Sequence, residues 1–167
     1  MLALLAALAS VPLASASNAA TATSTFTVTA SVSNNCTIAA ANLVFGAYDP
    51  VVANATNPLN VNSTVTVACT KGATATIGLN AGANSGKGGC ATTRAMSSGG
   101  GSPSYLCYEI YSNAGLSTVW GNSGAGLVSY TAASKAPTAL TDYGQVPGGQ
   151  DVPTASYSDS VTATITF

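Results

Sequence analysis

The chain has 167 residues, of which 5% are charged, and it carries no histidine. Average soluble proteins carry about 25% charged residues, so the polar surface here must come from Thr, Ser, Asn and Gly, as suits an extracellular protein tolerant of salt and pH. The length allows one domain with a modest core. Its basic residues, Lys71, Lys87, Arg94 and Lys135, are scattered and offset by five acids, which excludes phosphate-backbone binding and hence nucleic acid.

Residues 1–20 read as a secretory signal. Leu2 to Leu13 is an apolar run too short to span a bilayer, and Ala14-Ser15-Ala16 or Asn18-Ala19-Ala20 offers small residues for cleavage. No Lys or Arg precedes the run, as expected if the true start lies further upstream. The alternative is a mature apolar arm that docks elsewhere. The shift to Thr-rich sequence after residue 20 favours the signal.

Residues 21–33 contain an alternating stretch, Thr25 to Val32. Successive strand side chains point to opposite faces, so Phe26, Val28, Ala30 and Val32 share one apolar face. The same pattern recurs at the carboxyl end, where Val161, Ala163, Ile165 and Phe167 alternate with small polar residues and no turn or further strand follows. Two readings are open on pattern alone. Either both are ordinary strands of a closed sandwich, or the subunit completes its neighbour.

Four cysteines in an exported chain without histidine point to disulfides, because neither Cys-x-x-Cys pairs nor histidines are present for a metal site. Three connectivities are possible and spacing does not choose among them. The expectation adopted is Cys36–Cys69 with Cys90–Cys107, the option closing the shortest loops, each worth about 2–4 kcal/mol. An even count leaves no thiol for cysteine catalysis. No metal or cofactor is expected.

Between these points the chain is strand and turn. Val61, Ser63, Val65, Val67 and Cys69 keep period two, as do Ala73, Ala75, Ile77 and Leu79. Tyr105 to Tyr111 is a third strand, rich in aromatic and branched residues. Breakers fall at Asp49-Pro50, Gly82–Gly89, Ser97–Pro103, Gly121–Gly126 and Val146–Gly149. No stretch outside the signal keeps helical spacing. Many short strands punctuated this way predict an antiparallel β-sandwich.

Enzymatic chemistry finds no footing. The carboxylates are Asp49, Glu109, Asp142, Asp151 and Asp159, with no histidine to act as a base. Asp49, Asp142 and Asp151 lie beside turn residues, where Asp commonly caps the backbone. Gly99-Gly100-Gly101 lacks the Lys-Ser/Thr of a phosphate loop. Tyr105, Tyr108, Tyr111 and Trp120 could form a sugar-stacking platform, but a division between core and contact surfaces fits strand alternation better. The three Asn-x-Ser/Thr matches at Asn35, Asn54 and Asn62 are expected by chance in so Asn- and Thr-rich a chain.

The ordered pieces Cys36-Thr37-Ile38, Leu43-Val44-Phe45-Gly46, Val65 to Cys69, Arg94-Ala95-Met96, Tyr108 to Tyr111, Val119-Trp120-Gly121, Asp142-Tyr143-Gly144 and Tyr157 to Phe167 resemble the spore coat protein U domain family. The resemblance spans the chain after the signal, with residues 34–167 as the domain. The second cysteine pair and the Ser97–Ser102 loop are not general features of the family. Ala155-Ser156 stands where a glycine commonly precedes Tyr-x-Asp.

The family includes pilins of archaic chaperone-usher fibres, used in attachment and biofilm formation. The resemblance therefore implies an incomplete immunoglobulin-like sandwich completed by donor-strand exchange. Phe26, Val28, Ala30 and Val32 would be the inserted face, and Val161, Ala163, Ile165 and Phe167 the strand beside the acceptor groove. The implied partners are a periplasmic chaperone, an outer-membrane usher and identical subunits in a head-to-tail filament, with no small-molecule substrate. A tip adhesin would need a second domain, for which this length leaves no room. The alternatives are a secreted carbohydrate-binding protein and a spore or cell-coat protein of the same fold.

Overall fold

The computed structural model describes residues 19–90 and 94–167. The signal-sequence expectation for residues 1–18 lies outside the described residues. The chain divides into two units, Met1–Ser31 and Val32–Phe167.

In the first unit, residues 19–31 form no strand and are exposed throughout. The strand expected over residues 25–32 is therefore absent within the single chain. The physical reason is that extended backbone becomes a strand only when a ladder partner takes its N–H and C=O groups, and none pairs with this stretch. Its apolar side chains face solvent, with Phe26 87% and Val28 81% exposed.

The second unit is all antiparallel β-structure. Its strands are β1 (Cys36–Ala40), β2 (Leu59–Cys69), β3 (Thr74–Leu79), β4 (Arg94–Ser97), β5 (Tyr105–Tyr111), β6 (Val128–Thr131), β7 (Thr138–Val146) and β8 (Ala163–Thr166). One sheet has the order β1-β2-β7-β5-β4, and the other β6-β3-β8. A single 3-10 turn, Gly124–Gly126, precedes β6.

The two sheets meet face to face through the alternation that the sequence carries. Val65 and Val67 of β2, Ile77 and Leu79 of β3, Tyr108 and Ile110 of β5 and Val146 of β7 share one buried cluster. Trp120 joins it at 1% exposure, its indole N–H donating to the Ile77 carbonyl at 3.0 Å. Burying each of these larger side chains is worth about 1.5–3 kcal/mol.

The disulfides staple two places where the apolar core thins. Cys36 pairs with Cys69 across the β1–β2 ladder, with the Cα atoms 4.1 Å apart. Around this bond the neighbours shrink to Ala73, Ala75 and Ala132. Cys90 pairs with Cys107 and holds the glycine-rich segment before β4 against β5.

A buried arginine, ion-paired within its own sheet, ties the two sheets together. Arg94 of β4 and Glu109 of β5 are 3% and 5% exposed and bonded to each other. The Arg94 guanidinium also donates to the carbonyls of Leu79, Asn80 and Trp120 at 2.8 to 3.1 Å. One side chain on the larger sheet thus satisfies the end of β3 on the smaller one.

Candidate functional site

A concavity within the second unit opens directly into the core. It encloses about 910 Å³ between the segment following β1 and the segment leading into β8. Leu43, Phe45 and Tyr48 stand on one wall, Val152, Tyr157 and Val161 on the other, and Val65, Leu79, Tyr108 and Ile110 lie at its base. These base residues belong to the buried cluster of both sheets, so the groove is a gap in the sandwich rather than a surface dimple.

The free edge of β8 borders this gap. β8 pairs with β3 through Ala163↔Leu79, Gly78↔Thr164, Ile77↔Ile165 and Thr76↔Thr166, and it ends the order β6-β3-β8. An edge strand presents a row of unpaired N–H and C=O groups. The groove beside this edge mixes apolar side chains with polar ones such as Asn42, Thr154 and Asp159; a groove beside a free edge can accept an added strand, with main-chain bonds supplying affinity and side chains filling pockets.

Local sequence explains both walls. Gly144 sits on the inward side of β7, and a Cβ there would stand 2.6 Å from Leu43 Cδ2 and 2.9 Å from Phe45 Cζ. Only glycine lets the segment after β1 lie so close against the sheet. Phe45 then meets Tyr108 edge to face, with ring centroids 5.9 Å apart. On the opposite side, the Tyr108 hydroxyl donates to Asp159 Oδ2 at 2.8 Å, while Asp159 Oδ1 accepts from the Ala83 backbone and the Asn84 amide. Burial, then this carboxylate, pushes the Tyr108 phenol far above its ordinary range, so it remains a donor. Gly82 makes the latch possible, because a Cβ there would stand 2.0 Å from Asp159 Oδ2.

Of the four residues assigned to the acceptor face, Val161 and Ala163 line the groove. Ile165 is half-buried and packs beneath β3 and the disulfide cluster. Phe167 is 53% exposed and takes no part in the lining. The donor-face residues Phe26, Val28 and Val32 are each more than four-fifths exposed.

The polar and aromatic residues singled out in the sequence fall into different places in the fold. Asp49 caps its turn, its Oδ1 accepting from Val51 and Val52 at 2.9 and 3.1 Å, which lowers its pKa. Asp142 does not behave that way. It lies inside β7, is 5% exposed and lines the groove, with Oδ1 unpartnered. Burial raises its pKa, opposed by the backbone N–H groups of Asp142 and Ser63. The reason for the misplacement is that Asp142 and Gly144 interrupt β7's apolar alternation and make it read as turn.

The aromatic residues divide as strand alternation implies, with Tyr108 and Trp120 at most 3% exposed in the core and Tyr105 and Tyr111 half-buried. Asn54 is likewise withdrawn from modification in the fold, at 6% exposure with both ends of its amide bonded. Among the described residues, no three His, Cys, Asp or Glu side chains gather as they would around a metal ion.

The domain is an all-β antiparallel sandwich with a gap beside an edge strand, stapled by two disulfides. The chain belongs to the spore coat protein U domain family, whose family model matches residues 22–164. It is 38% identical over 162 residues to Protein U of Myxococcus xanthus, covering 92% of this chain and 89% of the relative. Among solved structures it is similar to one from the CsuC–CsuE chaperone–tip adhesion subunit pre-assembly complex of Acinetobacter baumannii archaic Csu pili. That likeness has TM-score 0.57 and 21% identity over 81% of this chain, and the chain spans only 40% of that structure's length. At this identity the likeness concerns the fold. The Escherichia coli Hda pilus minor tip subunit HdaB gives 21% identity over 78% of this chain and 79% of its own, at a TM-score of 0.40, too slight to bear on the argument. The family is one of structural subunits, and the chain is not an enzyme.

Proposed function

We propose that this protein is a structural subunit of an extracellular chaperone-usher pilus that polymerises by donor-strand exchange and serves attachment and biofilm formation. The observation that carries this reading is the groove of about 910 Å³, open into the core beside the free edge of β8. The occupant is the amino-terminal segment of a second copy. Its face of Phe26, Val28, Ala30 and Val32 is exposed and alternates with Thr25, Thr27, Thr29 and Ser31, the pattern a half-buried strand requires.

Burying Phe26, Val28 and Val32 at about 1.5–3 kcal/mol each, together with main-chain bonds to β8, supports a tight link. Because donor and groove belong to every copy, the contact is head-to-tail and grows a filament instead of closing a dimer. An unfilled groove is also an aggregation-prone edge. That liability supports a requirement for a periplasmic chaperone that lends a strand, and for an outer-membrane usher where the next subunit replaces it. Residues 1–20 would act as the export signal.

The test is assembly of Val28→Asp chains with chaperone and usher present. The charge would lie against apolar walls, so the expected result is loss of fibres with both disulfides and the sandwich intact. Thr27→Ser, on the opposite face, should assemble normally. Fibres of unchanged length from Val28→Asp would overturn the reading. A coat-forming role is the second reading, favoured by the match to the spore coat protein U domain family. Native material recovered as a layer instead of thin fibres would decide for it.

A further inference from the structure

The few charges of the second unit are sorted toward its two ends. Arg94 and Glu109 neutralise each other inside the fold, and Asp142 is buried in β7. Lys71 lies in the turn between β2 and β3 and Lys135 in the loop between β6 and β7, both exposed. These loops are neighbours, joined by the Gly72 N–H to the Ala132 carbonyl at 2.8 Å and the Ala132 N–H to the Ala73 carbonyl at 2.9 Å. Asp151, exposed, and Asp49, partly so, lie at the opposite end, where β2 begins and β7 stops. There the Tyr48 hydroxyl donates to the Pro147 carbonyl and accepts from the Gln150 N–H. Lys87 also lies toward this end, since Gly88 beside it packs on Tyr105 at the start of β5. It is offset by Asp159, which holds the nearby Asn84 amide.

The lysines mark the root of the amino-terminal arm. Beside Lys71, the Thr70 N–H donates to the Asn35 carbonyl at 2.9 Å, and its hydroxyl accepts from the Asn35 N–H and donates to the Ser33 carbonyl. The aspartates mark one end of the groove. Asp49 stands between Tyr48 and Pro50, and Asp151 next to Val152, and all three neighbours line the groove. β8 runs from this rim toward the lysine end, because it is antiparallel to β3, which starts from the lysine end at Thr74.

A strand from a second copy can lie along β8 in either direction. Antiparallel to β8, it emerges after Val32 at the aspartate rim; parallel, it emerges at the lysine end. Anchoring of Ser33 and Asn35 leaves at most about 11 Å of chain between the inserted Val32 and its own domain. The two domains are thereby held end to end, close to the screening length of about 8 Å at physiological salt. The parallel arrangement sets Lys71 and Lys135 against the same lysines of the neighbour, and the antiparallel one sets them against Asp49 and Asp151. Resting on the reading that the amino-terminal segment of a second copy fills the groove, we propose that the Lys71 and Lys135 end of one copy docks on the Asp49 and Asp151 rim of the next. The contact steers the incoming copy and penalises the reversed strand, as like charges across an interface do.

Lys71 and Asp151 are at opposite ends of one copy, so they compensate each other only between copies. The experiment is fibre growth, with chaperone and usher present, from chains carrying Lys71→Glu, Asp151→Lys or both. Each single reversal sets like charges at every junction and should slow growth about tenfold or more at low salt, shrinking to about twofold or less near 1 M salt. The double change restores opposite charges at every junction and should return growth to within about threefold of wild type. Single variants that grow like wild type, or a double variant no faster than the slower single one, would overturn the proposal. Lys71→Gln and Asp151→Asn should each slow growth less than the reversals, and they serve if a reversal fails to fold. A synthetic peptide of residues 21–33 lacks Lys71, so it should bind the purified wild-type and Asp151→Lys chains alike. If it binds neither, the donor-strand reading itself is wrong. If it binds both while the single reversals grow normally, only the end-to-end contact falls. Binding lost in Asp151→Lys alone would place the effect inside the groove and overturn the contact as well.

Discussion

Arg94→Met probes what holds the two sheets in register. The substitution keeps an unbranched stem of similar length and removes the guanidinium. Two consequences follow from the structure. Glu109, 5% exposed, is left as a buried carboxylate whose remaining bond is from the Ile110 N–H at 2.9 Å. The carbonyls of Leu79, Asn80 and Trp120 lose a charged donor at 2.8 to 3.1 Å. Breaking a buried pair from one side costs about 3–5 kcal/mol, chiefly because the surviving charge is uncompensated. Hydrogen bonds to charged groups add about 1.5–3 kcal/mol each before relaxation. The expected loss is therefore at least about 4 kcal/mol, which for a domain this size is a large fraction of stability.

Equilibrium urea unfolding with both disulfides intact reads this as a lowered midpoint at unchanged slope. The double change Arg94→Met with Glu109→Met should lose less than Arg94→Met alone, since it removes the stranded charge. A loss below about 1 kcal/mol for Arg94→Met would refute the claim that Arg94 clamps the sheets. So would a double variant no better than the single one.

The disulfides should differ in value. Removing Cys36–Cys69, with separation 33, should cost about 0.6 kcal/mol more than removing Cys90–Cys107, with separation 17, by loop-closure entropy; thermal unfolding of the two double-alanine chains tests the order. Asp142 should make the isolated chain less stable as pH rises. Its pKa is raised by burial, so the folded state favours the protonated form; the associated stability is complete below the ordinary carboxylate range and is lost as pH climbs through the raised value. Asp142→Asn should flatten that limb of the stability–pH profile while leaving the acid end unchanged, and an identical profile would exclude Asp142 as its source.

How much of this could be read from residues alone depended on what each strand buries. β2, β3 and β5 were legible because Val65, Val67, Ile77, Leu79, Leu106 and Ile110 put branched or long apolar side chains at alternate positions against a closed core. β4 was not, because its buried positions include Arg94, and a lone arginine gives no sign that Glu109, fifteen positions on, will neutralise it. The wall from Leu43 to Tyr48 has no period at all, since it is held by individual contacts to Gly144 and Tyr108 and not by a ladder. The strand expected over residues 25–32 does not form in the single chain, where no ladder partner meets its backbone.

β7 is the most instructive failure, since it is a central strand, between β2 and β5. Its inward positions at Asp142 and Gly144 are the ones that disobey the rule of apolar alternation, while Val146, further along the same face, obeys it and is fully buried. Local rules fail where function intervenes, and the failures here collect along one side of the groove. Gly144 gives up a side chain so that the wall can approach, and Asp142 puts a carboxylate at a buried position with the backbone N–H groups of Asp142 and Ser63 acting on it. The segment at residues 26–32 has the opposite defect, an apolar face with no core to enter. A closed single-chain sandwich makes both features net costs, a buried carboxylate in one place and solvated Phe and Val in another.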